Sequence, residues 1–132
     1  MNDDRLITLS FFGREYPLCL TVLAQKQVQD EWGSLDALSE LLTHTDADAM
    51  TGWCHLLRIL MEGGAARVKA LAWMAGQDPE KLPPIPEMDT LTKIMGWADI
   101  AAFGPVIMAA IGGSTQQTVE AAPEKNAETT QE

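Results

Sequence analysis

Four prolines within ten residues constrain this chain more than any other feature, because residues 77–86 hold prolines at positions 79, 83, 84 and 86. Proline lacks a backbone N–H and disfavours helical geometry in the residue before it. A continuous helix therefore cannot pass through this segment, and we expect an extended connector that reorients the chain. Pro86 is suited to the first turn of the helix that follows.

The N-terminal part predicts a β-hairpin. Two runs rich in β-forming residues, Leu6–Phe12 and Tyr16–Val22, flank a short Gly-containing turn at residues 13–15. Pro17 has no N–H to donate, so it is expected at a strand start or on an outward edge, as in a two-stranded ribbon. An isolated hairpin is marginally stable, so this one must pack on helices or on partner strands.

Helical periodicity begins after the hairpin. A first helix is expected from Leu23 to a stop at Gly33, and Ser34 is a candidate N-cap for a second, leucine-rich helix. A third helix is predicted to open at Thr45, with Asp48 completing a capping-box-like start. Its apolar spacing is the best amphipathic signal in the chain. The glycine pair Gly63–Gly64 either ends this helix or hinges it into a further one.

A last helix is expected after the proline cluster, with Glu87 and Asp89 near its positive end. Its predicted core stripe is Leu91, Ile94, Met95, Ala98 and Ala102, and Pro105 is expected to kink or end it near Phe103. The predicted fold class is therefore α+β, mostly α: an N-terminal β-hairpin followed by four or five helices.

The C-terminal segment lacks the signals of packing. Residues 114–132 are rich in Ser, Thr, Gln, Glu and Ala, and apart from alanines Val119 is their only apolar side chain. Such a segment buries too little to offset the entropy of ordering. We therefore predict a single domain over residues 1–113 and a disordered acidic tail over residues 114–132.

Charge and hydropathy exclude several classes of partner. Nine basic and nineteen acidic side chains give a net charge of −10, which repels nucleic acid and anionic lipid. The apolar stretch Ile94–Ile111 is interrupted by Asp99, Gly104 and Pro105, which disfavours a membrane span. No apolar signal region follows the charged N-terminus, so we expect a cytoplasmic protein.

The sequence predicts no catalytic, cofactor-binding or metal-binding residues. Cys54 and His55 are adjacent, but neighbours in a helix point about 100° apart and would not share a hydrogen bond. His44 lacks further ligands at metal-binding spacing, and Asp46 and Asp48 lack the glycine and glutamate of a calcium loop. The glycine pairs lack the lysine of a phosphate loop. We therefore expect neither an enzyme nor a cofactor.

A resemblance to a known family is carried by the N-terminal residues. The hairpin segment Phe11–Leu18 is followed by a helix that ends in Glu31, Trp32 and Gly33 and by a leucine-rich segment. This arrangement resembles the tail assembly chaperones of long-tailed bacteriophages over about residues 6 to 45. The resemblance implies an assembly factor that binds the tape-measure protein and assists assembly of the tail-tube protein.

A partner-binding surface is expected in residues 100–111, the preferred site for a client or for self-association into a homo-oligomer. This segment is apolar on all its sides, which a small domain cannot easily bury alone. Removing it is expected to abolish client binding. The predicted partner-binding residues are Trp97, Ile100, Phe103, Val106, Ile107, Met108 and Ile111.

Two other classes of function compete with this interpretation. An acidic regulatory or inhibitor module would present a contiguous face of carboxylates, whereas the acidic residues here are spread among helix starts, connector and tail. A small cysteine-dependent enzyme would use Cys54. The four tryptophans fit either core packing or partner surfaces, and core packing is the favoured interpretation.

Overall fold

The computed structural model describes residues 6–115 and confirms the predicted fold class. An antiparallel hairpin of β1 (Ile7–Phe11) and β2 (Arg14–Leu18) precedes five helices. The helices are α1 (Val22–Trp32), α2 (Leu35–Leu42), α3 (Ala47–Met74), α4 (Met88–Ile94) and α5 (Trp97–Thr115). Helix α5 runs two residues past the predicted domain boundary at 113. Residues 116–132 of the predicted tail lie outside the described residues.

The hairpin turn begins one residue earlier than predicted and has two residues instead of three. Phe11 pairs with Arg14, so the loop consists of Phe12 and Gly13, whose φ angles are +49° and +82°. Positive φ at both central residues is the requirement of a type I′ turn, which matches the twist of the two strands. Arg14 and Glu15 therefore belong to β2 and not to the turn, and Val22 belongs to α1 and not to a strand.

The two faces of the hairpin differ as strand alternation requires. Leu9, Phe11, Tyr16 and Leu18 are buried on one face, while the side chains at positions 8, 10 and 15 on the other face are exposed. The buried face contributes to the core of the domain, together with α3.

Helix starts follow the expected capping chemistry with one correction. Thr21 and Ser34 cap α1 and α2 by accepting hydrogen bonds from Ala24 N (3.1 Å) and Ala37 N (3.0 Å). The N-cap of α3 is Asp46 and not Thr45, since Asp46 Oδ1 accepts from Ala49 N at 3.0 Å. A carboxylate at this position also interacts favourably with the positive end of the helix.

Helix α3 neither ends nor hinges at its glycine pair. It continues for 28 residues, and Gly63 and Gly64 are buried at its contact with the hairpin. A Cβ on Gly63 would overlap the carbonyl oxygen of Cys19, and one on Gly64 would overlap that of Pro17. Cys19 N also donates to Leu60 O at 3.2 Å. The glycines therefore let helix and strand backbones meet directly.

The proline cluster forms an extended connector, as predicted. Side chains of α3 and of the hairpin donate hydrogen bonds to its backbone. Residues 77–87 contain no helix or strand. Tyr16 Oη donates to Pro84 O at 2.8 Å, and Arg58 Nε donates to Pro86 O at 3.1 Å. Helix α4 begins at Met88 with Glu87 as its N-cap, so Pro86 lies just before the helix and not in its first turn.

The single helix predicted after the connector is in fact two. Met95 leaves helical geometry (ψ 131°), and α5 begins at Trp97, where Asp99 Oδ2 accepts from Gly96 N at 2.9 Å. Pro105 does not end the helix near Phe103, because it lies inside α5 on the exposed side. Gly104 and Ile107 are buried on either side of it, and this packing stabilises the helix despite the lost donor.

Within residues 6–115, no helix combines the length and the apolar character that crossing a bilayer requires.

Candidate partner-binding surface

The seven predicted partner-binding residues divide between core and surface. Ile100, Ile107 and Ile111 are buried and belong to the hydrophobic core, and Phe103 and Val106 are half-buried against it. Only Trp97 and Met108 are exposed, to 41% and 42%. The inward side of α5 is thus occupied by the domain itself, which leaves the outward side for a partner.

The outward side of α5 carries no charged residue. We define the α5 face as its exposed residues up to position 109: Trp97, Ala98, Ala101, Ala102, Pro105, Met108 and Ala109. A surface helix normally presents charged or polar residues to water opposite its core stripe. The one charged residue of α5, Asp99, is half-buried and caps the helix start. An uncharged outward face of this kind is typical of an interaction site.

The tip of the hairpin reaches α5. The ring of Phe12 lies 4.7 Å from that of Phe11 and 6.0 Å from that of Phe103, measured between centroids. Phe12 is nevertheless 55% exposed. Its φ of +49° places an aromatic residue in the left-handed region, which costs about 1 kcal/mol relative to glycine. A strained, exposed aromatic beside an apolar helix is an additional candidate contact for a partner.

Sequence reasoning did not find Phe12 as a candidate site residue, although the residue formed part of the family resemblance. In the sequence Phe12 reads as the last residue of an apolar strand, and its backbone angle depends on where the turn falls. The only available signal was the glycine after it, since X-Gly pairs between β-rich runs indicate two-residue turns.

Other exposed apolar side chains lie at the ends of helices. Trp73 and Met74, at the end of α3, are 78% and 74% exposed, and Val22 and Leu23, at the start of α1, are also exposed. The tryptophans therefore do not all follow the favoured core interpretation: Trp32 and Trp53 pack partly against the core, whereas Trp73 and Trp97 are exposed.

A polar cleft of about 300 Å³ lies at the surface between α1 and the middle of α3. Four of its polar side chains form two pairs: Arg58 Nη1 lies 2.8 Å from Glu62 Oε2, and His55 Nδ1 lies 3.9 Å from Glu31 Oε2. The His55 ring also meets Trp32 edge-on at 5.1 Å. Within residues 6–115, no group of three or more His, Cys, Asp or Glu side chains is placed to hold a metal ion. The cleft is lined by Gln27, Asp30, Glu31, His55, Arg58, Ile59 and Glu62.

Cys54 lies in the core beside this cleft, and burial raises the pKa of its thiol above the ordinary value. Since the thiolate is the nucleophile, a raised pKa lowers reactivity at neutral pH. His55 is directed to Glu31 and Trp32. The geometry gives Cys54 the character of a small buried hydrophobe.

We expect iodoacetamide to alkylate Cys54 at least about tenfold more slowly in the folded chain than in the urea-unfolded chain. The raised thiol pKa also makes the free energy of unfolding depend on pH. Its contribution to stability is fully present below the pKa of the unfolded chain, about 8.5, and is lost as pH rises from there through the pKa of the folded chain. Peptide mass spectrometry of timed samples measures the rates. Equal rates in folded and unfolded chains would contradict the burial of this thiol.

Comparison with known proteins does not assign a family. No family model, curated protein or solved structure matches this chain.

Proposed function

We propose that this chain is a non-catalytic assembly factor of the phage tail assembly chaperone class, which binds an apolar helical segment of a client on its α5 face. The observation that carries the proposal is the uncharged outward side of a helix whose inward side is already packed. The resemblance of residues 6–45 to tail assembly chaperones supports the same role. By that resemblance the client is the tape-measure protein, and the tail-tube protein is the second partner.

The α5 face suits a helix better than an extended peptide. Its central residues are Ala98, Ala101, Ala102 and Pro105, whose small side chains let another helix approach closely. Trp97 and Met108 lie about three turns of helix apart and provide larger apolar anchors towards its ends. A helix laid in this way is bound through apolar residues at spacings of three and four.

The charge of the chain suits a factor that keeps an apolar client in solution. Its net charge is −10, yet none of that charge lies on the α5 face. A complex of chain and client would keep the acidic remainder exposed, and like charge opposes aggregation. The proposed site of action is the cytoplasm, that of the host for a phage-encoded chain.

Co-expression tests the proposed function directly. We expect the tape-measure protein encoded in the same genome to be largely insoluble when it is expressed alone, and to become soluble and co-purify when this chain is present. The soluble fraction of the tape-measure protein, measured by quantitative gel analysis, is the readout. An unchanged soluble fraction, with no co-purification, would reject the proposal.

A further inference from the structure

The outer edge of β1 carries backbone groups that point away from the hairpin. Phe11 and Arg14 flank a two-residue turn, so they form a hydrogen-bonded pair, as do Leu9 with Tyr16 and Ile7 with Leu18. In antiparallel pairing the intervening residues, Thr8 and Ser10, direct N–H and C=O to the opposite side. Within residues 6–115 these outward groups have no hydrogen-bond partner.

The outer edge of β2 is closed by contrast. Pro17 lies opposite Thr8 in the register and has no N–H to offer. Its carbonyl oxygen packs directly against the backbone of Gly64 in α3. Edge strands are normally protected by proline, charge or a bulge, and β1 has none of these in its sequence Ile-Thr-Leu-Ser-Phe. The hairpin therefore has one open edge.

We propose that β1 pairs antiparallel with β1 of a second copy of this chain, about a two-fold axis at Leu9. Thr8 then lies opposite Ser10 of the second copy, and Ser10 opposite its Thr8. Each of these two pairs exchanges two hydrogen bonds, because both residues direct N–H and C=O outward. The donors and acceptors of one edge are thus complementary to those of an identical edge.

The side chains fit the same symmetry. Residues 7, 9 and 11 form the buried face and residues 8 and 10 the exposed face, so the pattern reads the same in both directions from Leu9. No charged side chain lies on β1, and pairing two copies brings no like charges opposite each other. Helix α5 contacts β1 through Phe11 and Phe103, on the buried face of the strand.

The closed edge of β2 limits the assembly to two chains. A pair that uses the same edge of both copies leaves only the blocked β2 edges outside, and such an isologous contact forms no fibre. The inferred product is a four-stranded sheet in a dimer of twice the 14.4 kDa chain mass. This inference goes beyond the proposed client binding and does not depend on it.

Sedimentation equilibrium of the full chain and two matched double variants tests the pairing. The like-charge variant, Thr8→Lys with Ser10→Lys, places lysines opposite each other across the two-fold axis. The opposite-charge variant, Thr8→Glu with Ser10→Lys, places glutamate opposite lysine. Both variants share the substitution at Ser10, which lies opposite Glu15 within the hairpin, so they differ only at an exposed position. We expect the like-charge variant to have a dimer dissociation constant about tenfold or more above that of the opposite-charge variant.

The sedimentation results either support or contradict the pairing of the two β1 strands. A dimeric wild type and a dimeric opposite-charge variant, with a like-charge variant that dissociates, support the pairing. Thermal melting monitored by circular dichroism establishes that both variants are folded. One contradicting outcome is a wild type that stays monomeric at a protein concentration about 100-fold above that used in the calorimetric titrations of client binding. The other is a dimer that is equally stable in both variants.

Discussion

Replacing Gly64 with alanine is expected to lower the free energy of unfolding by about 3 kcal/mol or more, a large fraction of the roughly 5–15 kcal/mol that is typical of a folded domain. The added Cβ would overlap the carbonyl carbon and oxygen of Pro17. Both sides of this contact are backbone, so no side chain can rotate away. The helix and the hairpin would have to separate, and the buried face of the hairpin would lose its packing. Urea denaturation monitored by circular dichroism gives the magnitude.

Gly112→Ala is the matched control, since it makes the same change in the interior of α5. A Cβ at Gly112 meets nothing within 4 Å. We expect this variant to be as stable as the wild type or more stable by about 0.5 kcal/mol, because alanine favours helix over glycine. If Gly64→Ala unfolds at the same urea concentration as Gly112→Ala, the direct backbone contact between α3 and β2 is absent.

The same glycine pair illustrates what the sequence could and could not predict. The hydrophobic periodicities and the proline cluster were sufficient for the hairpin, the first three helices and the connector, because those signals are local. From the sequence alone, Gly63 and Gly64 could mark either the end of a helix or a hinge within it. In the structure the helix continues, and the two glycines contact Pro17 and Cys19. That contact is distant in sequence, so no local pattern contains it.

Pro105 was misinterpreted for a related reason. Helix propensity predicts a stop there, but propensity is a weak term when packing holds both flanking turns. Gly104 and Ile107 are buried on either side, and the proline lies outward. The break occurs instead at Met95 and Gly96, where Asp99 caps the next helix.

The candidate surface could be predicted only in part. An apolar segment in the region of α5 was evident, but a helix that is apolar on all sides has no periodicity to show which side faces the core. Ile100, Ile107 and Ile111 were therefore assigned to a partner although they are buried. Trp97 and Met108 do lie on the exposed side. Deleting residues 100–111 would remove core and surface together, so a point substitution on the exposed side is the sharper experiment.

Ala101→Glu is expected to weaken binding of the proposed tape-measure client about thirtyfold or more while leaving the fold intact. Ala101 is exposed near the centre of the α5 face, so glutamate is tolerated in the free chain, where water solvates it. In the complex the carboxylate would be buried against an apolar helix without a partner. Burying an unpaired charge costs at least about 2 kcal/mol, which corresponds to that change in dissociation constant. Titration calorimetry against the purified client segment measures the change.

Ala37→Glu supplies the matched control, because it adds the same charge at another exposed helical alanine, in α2. Glutamate three residues after the Ser34 N-cap can accept a hydrogen bond from the cap N–H, so this variant should be at least as stable as the wild type. Its added charge affects long-range electrostatics much as Ala101→Glu does. A weaker complex for both variants would show that net charge governs binding, and unchanged binding for both would remove the α5 face as the client site. Loss confined to Ala101→Glu assigns the client to the α5 face.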